Sequence, residues 1–196
     1  MEQERRSLAL EIRADEEHPR RVVGYAAVFS SRTDIGGMFT EEIAPGAFRD
    51  VLERDVAALF NHDPDHVLGR SLSGTMRMKQ DDKGLRYEID LPESPIGDTV
   101  LQAIKRGDVR GSSFSFSVDE ADEERKTLDG KRHRIIKRVA ELFDLGPVTF
   151  PAYKSTSVSA RCENWAKEPE VDPAVAHASR RREMEMAELA LPAGQG

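Results

Sequence analysis

Three short segments hold the residue types that could do covalent chemistry: Leu59-Phe60-Asn61-His62-Asp63, Arg110-Gly111-Ser112-Ser113-Phe114-Ser115-Phe116, and Glu141-Leu142-Phe143-Asp144 running into Thr149-Phe150-Pro151-Ala152-Tyr153. They supply a histidine, a serine and a carboxylate, in the chain order His, Ser, acid. A serine hydroxyl is a weak nucleophile at its own pKa. It needs an imidazole to take its proton and a third group to hold that imidazole in the useful tautomer. Ser113, His62 and one of the two acids, Asp144 or Glu141, are the candidates for these roles.

The elements that must position them are mostly strands. Residues 113–118 alternate, with Ser113, Ser115 and Ser117 on one face and Phe114, Phe116 and Val118 on the other. The phenylalanines anchor the strand in a core, and alternation alone favours reading the serine row as a polar face open to solvent. Gly111, just upstream, permits close backbone approach beside the serine. His62 ends an apolar run. His66 follows at a spacing that would suit a metal pair on a helix, but Pro64 cannot sit inside a helix and no third ligand lies nearby. No metal and no other cofactor is expected. Glu141 and Asp144 share one apolar strand, where alternation sends them to opposite faces, so only one can face the site and periodicity does not choose between them.

Elsewhere, residues 7–13 alternate as a half-buried strand, 22–29 are apolar nearly throughout as a central strand, and 39–43 make a short strand. Residues 47–55 place Phe48, Val51 and Leu52 at helical spacing and predict a short amphipathic helix. Residues 74–79 and 84–91 read as a hairpin; 96–106, stopping at Gly107, read as a helix. Residues 119–133 are a charged excursion, and 135–150 carry one or two more strands. The fold class is therefore α+β, mainly β: an antiparallel barrel-like sheet or sandwich of seven or eight strands decorated by two helices.

Composition limits the partners. The chain has 196 residues, 38% hydrophobic and 33% charged, enough for one domain with a real core. A net charge of -7 gives no basic footprint for nucleic acid or an anionic membrane surface. No apolar run approaches a membrane span and the N-terminus carries no secretory pattern, so synthesis in the cytosol is expected. Cys162 is the only cysteine, which excludes an intramolecular disulfide; it reads as a partly buried thiol rather than a nucleophile. Residues 1–166 are expected to form the domain. Residues 167–196, with Lys167-Glu168-Pro169 and Arg180-Arg181-Arg182, are expected to be a charged helical or disordered tail.

At the level of motifs, Ala26-Ala27-Val28-Phe29, Glu42-Ile43-Ala44-Pro45-Gly46-Ala47-Phe48, Phe60-Asn61-His62-Asp63, Val67-Leu68-Gly69-Arg70, Arg110 to Phe116 and Val148 to Tyr153 resemble, in order, the motifs of the tailed-phage prohead serine proteases, which mature capsids. The resemblance spans about residues 8 to 162. It implies a fold similar to the herpesvirus maturation proteases and an endopeptidase that cleaves scaffold or major capsid protein, and itself, inside the immature shell in the host cytoplasm. Self-association is compatible with it; nucleic-acid and membrane partners are not implied. The family histidine falls on His62, the serine on Ser113, and the third residue on Asp144, with Glu141 as the fallback. Two departures stand out. Ser115 replaces a usual glycine, and Asp144 replaces a usual glutamate whose longer side chain reaches further. Backbone amides near Gly69-Arg70 or Arg110-Gly111 are candidates for the oxyanion hole. The alternatives are a catalytically silent scaffold or assembly protein of the same fold and a hydrolase of small esters or amides.

Overall fold

A computed structural model describes residues 2–9, 12–151 and 160–167. In chain order the strands are β1 (Glu4–Leu8), β2 (Ile12–Ala14), β3 (Arg21–Val28), β4 (Thr33–Ile35), β5 (Phe39–Ile43), β6 (Ala57–Leu59), β7 (Val67–Arg70), β8 (Met76–Gln80), β9 (Gly84–Asp90), β10 (Gly111–Ser117), β11 (Glu123–Leu128), β12 (Lys131–Ile136) and β13 (Glu141–Val148). The helices are α1 (Pro95–Arg106) and α2 (Ala160–Lys167). The strands form three sheets, ordered β1-β10-β13-β6-β7, β11-β12-β5-β4 and β2-β3-β9-β8.

The chain is mainly β, as expected, but no sheet closes into a barrel. Nor is the pairing purely antiparallel, since β12 runs parallel to β5 and β13 parallel to β6. Closure needs a continuous ladder around the ring. Here β3 and β5 belong to different sheets, and the ends of the two segments meet only at a single bridge, Phe29 to Ile43. The seams between sheets are filled by side chains instead: Phe48 packs edge-on to Phe114 at 5.7 Å and against Phe29 at 6.2 Å.

Local chemistry explains the regular elements. In the β8–β9 hairpin the Asp81 carboxylate accepts from the backbone N–H of Lys83 and Gly84, at 2.9 and 3.0 Å, and so shapes the turn. Helix α1 starts at the Ser94 cap with Pro95 in its first turn, buries Val100, Leu101 and Ile104, and ends at Gly107, whose φ of 78° suits glycine.

Four expectations are corrected. Residues 7–13 are not one strand: β1 pairs with β10 and β2 with β3, in separate sheets. Residues 47–55 form successive turns rather than a helix, with Ala47, Arg49, Val51 and Arg54 each donating three residues back. Tertiary partners hold these turns: the Ala47 carbonyl, which a helix would bond internally, accepts from Val139 N–H instead, and Phe48 N–H donates to the Gln80 side chain. Residues 119–133 are not a loop excursion but hold β11 and enter β12, whose Arg134 is fully buried among carboxylates. A search for apolar alternation misses a strand that is buried through ion pairs. The serine row does not face solvent, because all seven residues of β10 are buried. The expected tail, 167–196, lies outside the described residues except for Lys167.

Candidate active site

Ser113 lies mid-strand in β10, opposite Ser7 of β1 on one side and Gly146 of β13 on the other. Its orientation is set from the opposite face. Phe114 and Phe116 stack at 4.8 Å in the core, and the neighbouring Ser112 hydroxyl meets the buried Tyr87 hydroxyl at 2.7 Å. Burial pushes the Tyr87 pKa up, so that hydroxyl stays protonated and can hold the strand by a neutral hydrogen bond.

His62 follows β6 in a tight turn. Asn61 and His62 both adopt left-handed backbone, with φ of 57° and 59°. Such conformations cost of order 1 kcal/mol or more per residue and persist only where the surroundings enforce them. Asn61 provides that enforcement. Its N–H donates to the Pro147 carbonyl at 3.1 Å, its side-chain oxygen accepts from Thr149 N–H at 2.9 Å, and its side-chain NH2 donates to Thr149 Oγ1 at 3.2 Å. The His62 turn is thus stitched to the end of β13. Gly146 lets the two segments approach this closely, because a Cβ there would sit 2.1 Å from the Leu59 carbonyl oxygen.

The two acids are separated by a bulge. Register shifts between Ser115 and Phe116, so Ser115 pairs with Asp144 while Phe116 pairs with Leu142, leaving Phe143 unpaired. The bulge overturns the expectation that alternation sends Glu141 and Asp144 to opposite faces: Asp144 lies opposite Ser115 and Glu141 opposite Ser117, both on the serine face. Distance along the strand then decides. Asp144 accepts a hydrogen bond from His62 Nδ1, whereas Glu141 sits four residues further along β10 from Ser113, about 13 Å away.

His62, Ser113 and Asp144 therefore form one hydrogen-bonded row. His62 Nε2 lies 2.5 Å from Ser113 Oγ, and the His62 and Asp144 side chains are only 4% and 9% exposed. An ionised carboxylate can only accept, so the Asp144 contact places a proton on Nδ1 and leaves Nε2 able to accept from the serine. Ser113 Oγ has two further partners on β1. The Ser7 hydroxyl donates to it at 2.8 Å, and the Arg6 backbone carbonyl lies 2.8 Å away as an acceptor.

The other candidates lie apart. The His66 ring pairs with Asp63 at 3.1 Å in the turn after His62. No cluster of metal-ligating side chains occurs among the described residues. Cys162 is buried in a separate cluster with Ile35 and Phe39, with Arg125 at 3.7 Å from its sulfur. Gly69-Arg70 lies on β7, three strands from β10 and so about 14 Å away, whereas Arg110-Gly111 leads directly into the serine strand. The sequence assigned Asn61, Gly146, Ser112, Tyr87 and the strand at residues 4–8 no role in positioning the site. Only Gly146, a glycine inside a strand, carried a local signal of close approach.

A model of the caudovirus prohead serine protease family matches residues 8–170. No curated protein and no solved structure matches the chain. No helix among the described residues is long and apolar enough to cross a membrane.

Proposed function

The chain belongs to the caudovirus prohead serine protease family, and we propose that it is a serine endopeptidase in which Ser113 is the nucleophile, His62 the general base and acid, and Asp144 the residue that orients His62. The observation that carries this is the 2.5 Å contact of His62 Nε2 with Ser113 Oγ, with Asp144 on the other ring nitrogen. Ser113 Oγ attacks the scissile carbonyl carbon while its proton passes to His62 Nε2. The C–N bond then breaks, and His62 returns that proton to the leaving amine. Water attacks the acyl-serine with His62 again accepting a proton, which releases the carboxylate and restores the hydroxyl. Asp144 stays ionised throughout and stabilises the imidazolium.

Its substrates in this proposal are the scaffold and major capsid proteins and the chain itself, cut inside the immature capsid in the host cytoplasm. Residues 1–166 carry the peptidase, and 167–196 serve to bring it into the shell. Co-expression with the neighbouring capsid and scaffold proteins, compared with Ser113→Ala by intact mass, tests this. Discrete truncated products only with the unaltered chain are expected. Identical masses from both chains would reject it and favour an assembly protein of the same fold.

A further inference from the structure

Ser113 is fully buried, and β1 lies alongside it, with the Ser7 hydroxyl and the Arg6 carbonyl touching its Oγ. This strand lies at the edge of its sheet, paired only with β10, in an antiparallel register running from Glu4 opposite Phe116 to Leu8 opposite Ser112. The family match begins at residue 8, so Arg6 and Ser7, the residues touching Ser113 Oγ, lie before it.

We propose that β1 is a resident substitute for substrate: an extended peptide pairs antiparallel with β10 in its place, puts its scissile carbonyl where the Arg6 carbonyl now lies, and seats an arginine side chain on Glu41. This rests on the peptidase function proposed above. Main-chain pairing to an open strand edge supplies affinity without sequence demands, and side-chain sockets supply selectivity. The socket here is already built. Arg6 grips Glu41 through two parallel hydrogen bonds, Nε to Oε1 at 2.6 Å and Nη2 to Oε2 at 2.7 Å, while its guanidinium lies over the Phe116 ring at 5.4 Å. Such a fork matches arginine and not lysine. Glu41 itself is held on β5 by Arg134, whose Nη1 reaches Oε2 at 2.9 Å. The carboxylate therefore stays placed, with Oε1 facing the seat, when β1 leaves. A cavity of about 220 Å³ touches Arg6, Ser7, Glu41 and Phe114, so the strand leaves room beside it for further substrate side chains.

While β1 is docked it opposes catalysis in two ways. It excludes the scissile bond, and its Arg6 carbonyl competes with His62 Nε2 for the single proton of Ser113.

The test uses the full chain and a fluorophosphonate probe, which phosphonylates an active serine with loss of fluoride, read by intact mass against Ser113→Ala. Arg6→Ala breaks a buried ion pair and should raise the rate of Ser113 labelling about 100-fold. A peptide of residues 4–8 should protect Arg6→Ala from the probe, and the same peptide with alanine at the Arg6 position should not. Paired cysteines at Arg5 and Ser115, which lie directly opposite within disulfide reach, lock β1 down. The oxidised R5C/S115C chain should resist labelling and recover it on reduction. A folded Arg6→Ala chain labelled at the original rate, equal protection by both peptides, or an oxidised lock labelled as fast as the reduced one would each overturn the proposal. Equal, measurable rates in all variants would count against β1 alone. No labelling of Ser113 in any variant would remove the peptidase function as well.

Discussion

Gly146→Ala tests whether the His62 turn is held in register by close backbone contact. The added Cβ would lie 2.1 Å from the Leu59 carbonyl oxygen, so the segment leading to His62 must retreat by at least about 1 Å to relieve the overlap. Gly146 pairs with Ser113, and β10 is fixed from its other face by Ser112 and the stacked phenylalanines, so the serine does not follow. The 2.5 Å contact of His62 with Ser113 then opens toward 3.5 Å, past hydrogen-bond range. A displacement of about 1 Å at the reacting groups costs about 100-fold in kcat, or about 2.7 kcal/mol of barrier. Overpacking costs a further 1–3 kcal/mol of stability, roughly, and lowers Tm by several degrees without unfolding the chain at room temperature. The assay is hydrolysis of a peptide spanning the cut site identified by intact mass, with KM, kcat and Tm measured together. A Gly146→Ala chain with unchanged kcat would refute the argument that this approach positions His62.

Asp144→Asn should lower kcat by about 10⁴-fold through the wrong imidazole tautomer, while Glu141→Gln should stay within a few-fold of the unaltered chain; peptide hydrolysis separates the two. Asn61→Ala removes the two side-chain bonds to Thr149 that stabilise the left-handed turn, and should cost about 2 kcal/mol of stability in denaturant unfolding together with at least tenfold in kcat. Burial alone would raise the Glu41 carboxyl, but the Arg6 and Arg134 guanidiniums overcome it and hold the group below its ordinary value of 4.5. The native state therefore binds fewer protons than the unfolded one. The stability this contributes is complete above pH 4.5 and is lost as pH falls through the depressed native value. Unfolding free energies measured from pH 6 to pH 3 should fall more steeply for the unaltered chain than for Glu41→Gln; equal slopes would remove Glu41 from the acid response.

Elements whose apolar residues recur at one period are legible in the sequence. The central strand around Val22 to Val28, the β8–β9 hairpin and helix α1 all advertise their burial locally, and structure and pattern agree there. Where burial is achieved by charge, the pattern fails. Strand β12 reads as a polar excursion because Arg134 reaches full burial only by meeting Glu4, 130 residues away, together with Glu41 and Glu123. The turns at 47–55 fail for a related reason, since Val139, far along the chain, takes the Ala47 carbonyl that a helix would have bonded internally.

The sequence by itself determined the chemical inventory: a histidine, a serine and two acids, set in family motifs, on strands anchored by phenylalanines. Tertiary structure decided which of these groups meet. The bulge at Phe143 puts both acids on one face and leaves distance to choose Asp144. Pairing across more than a hundred residues sets Ser7 beside Ser113 and occupies the strand edge at the site. Periodicity records whether a side chain faces inward or outward, because burial of apolar surface repeats with the backbone. It holds no record of which distant strand supplies the neighbour, since strand pairing is made by backbone groups that every residue shares.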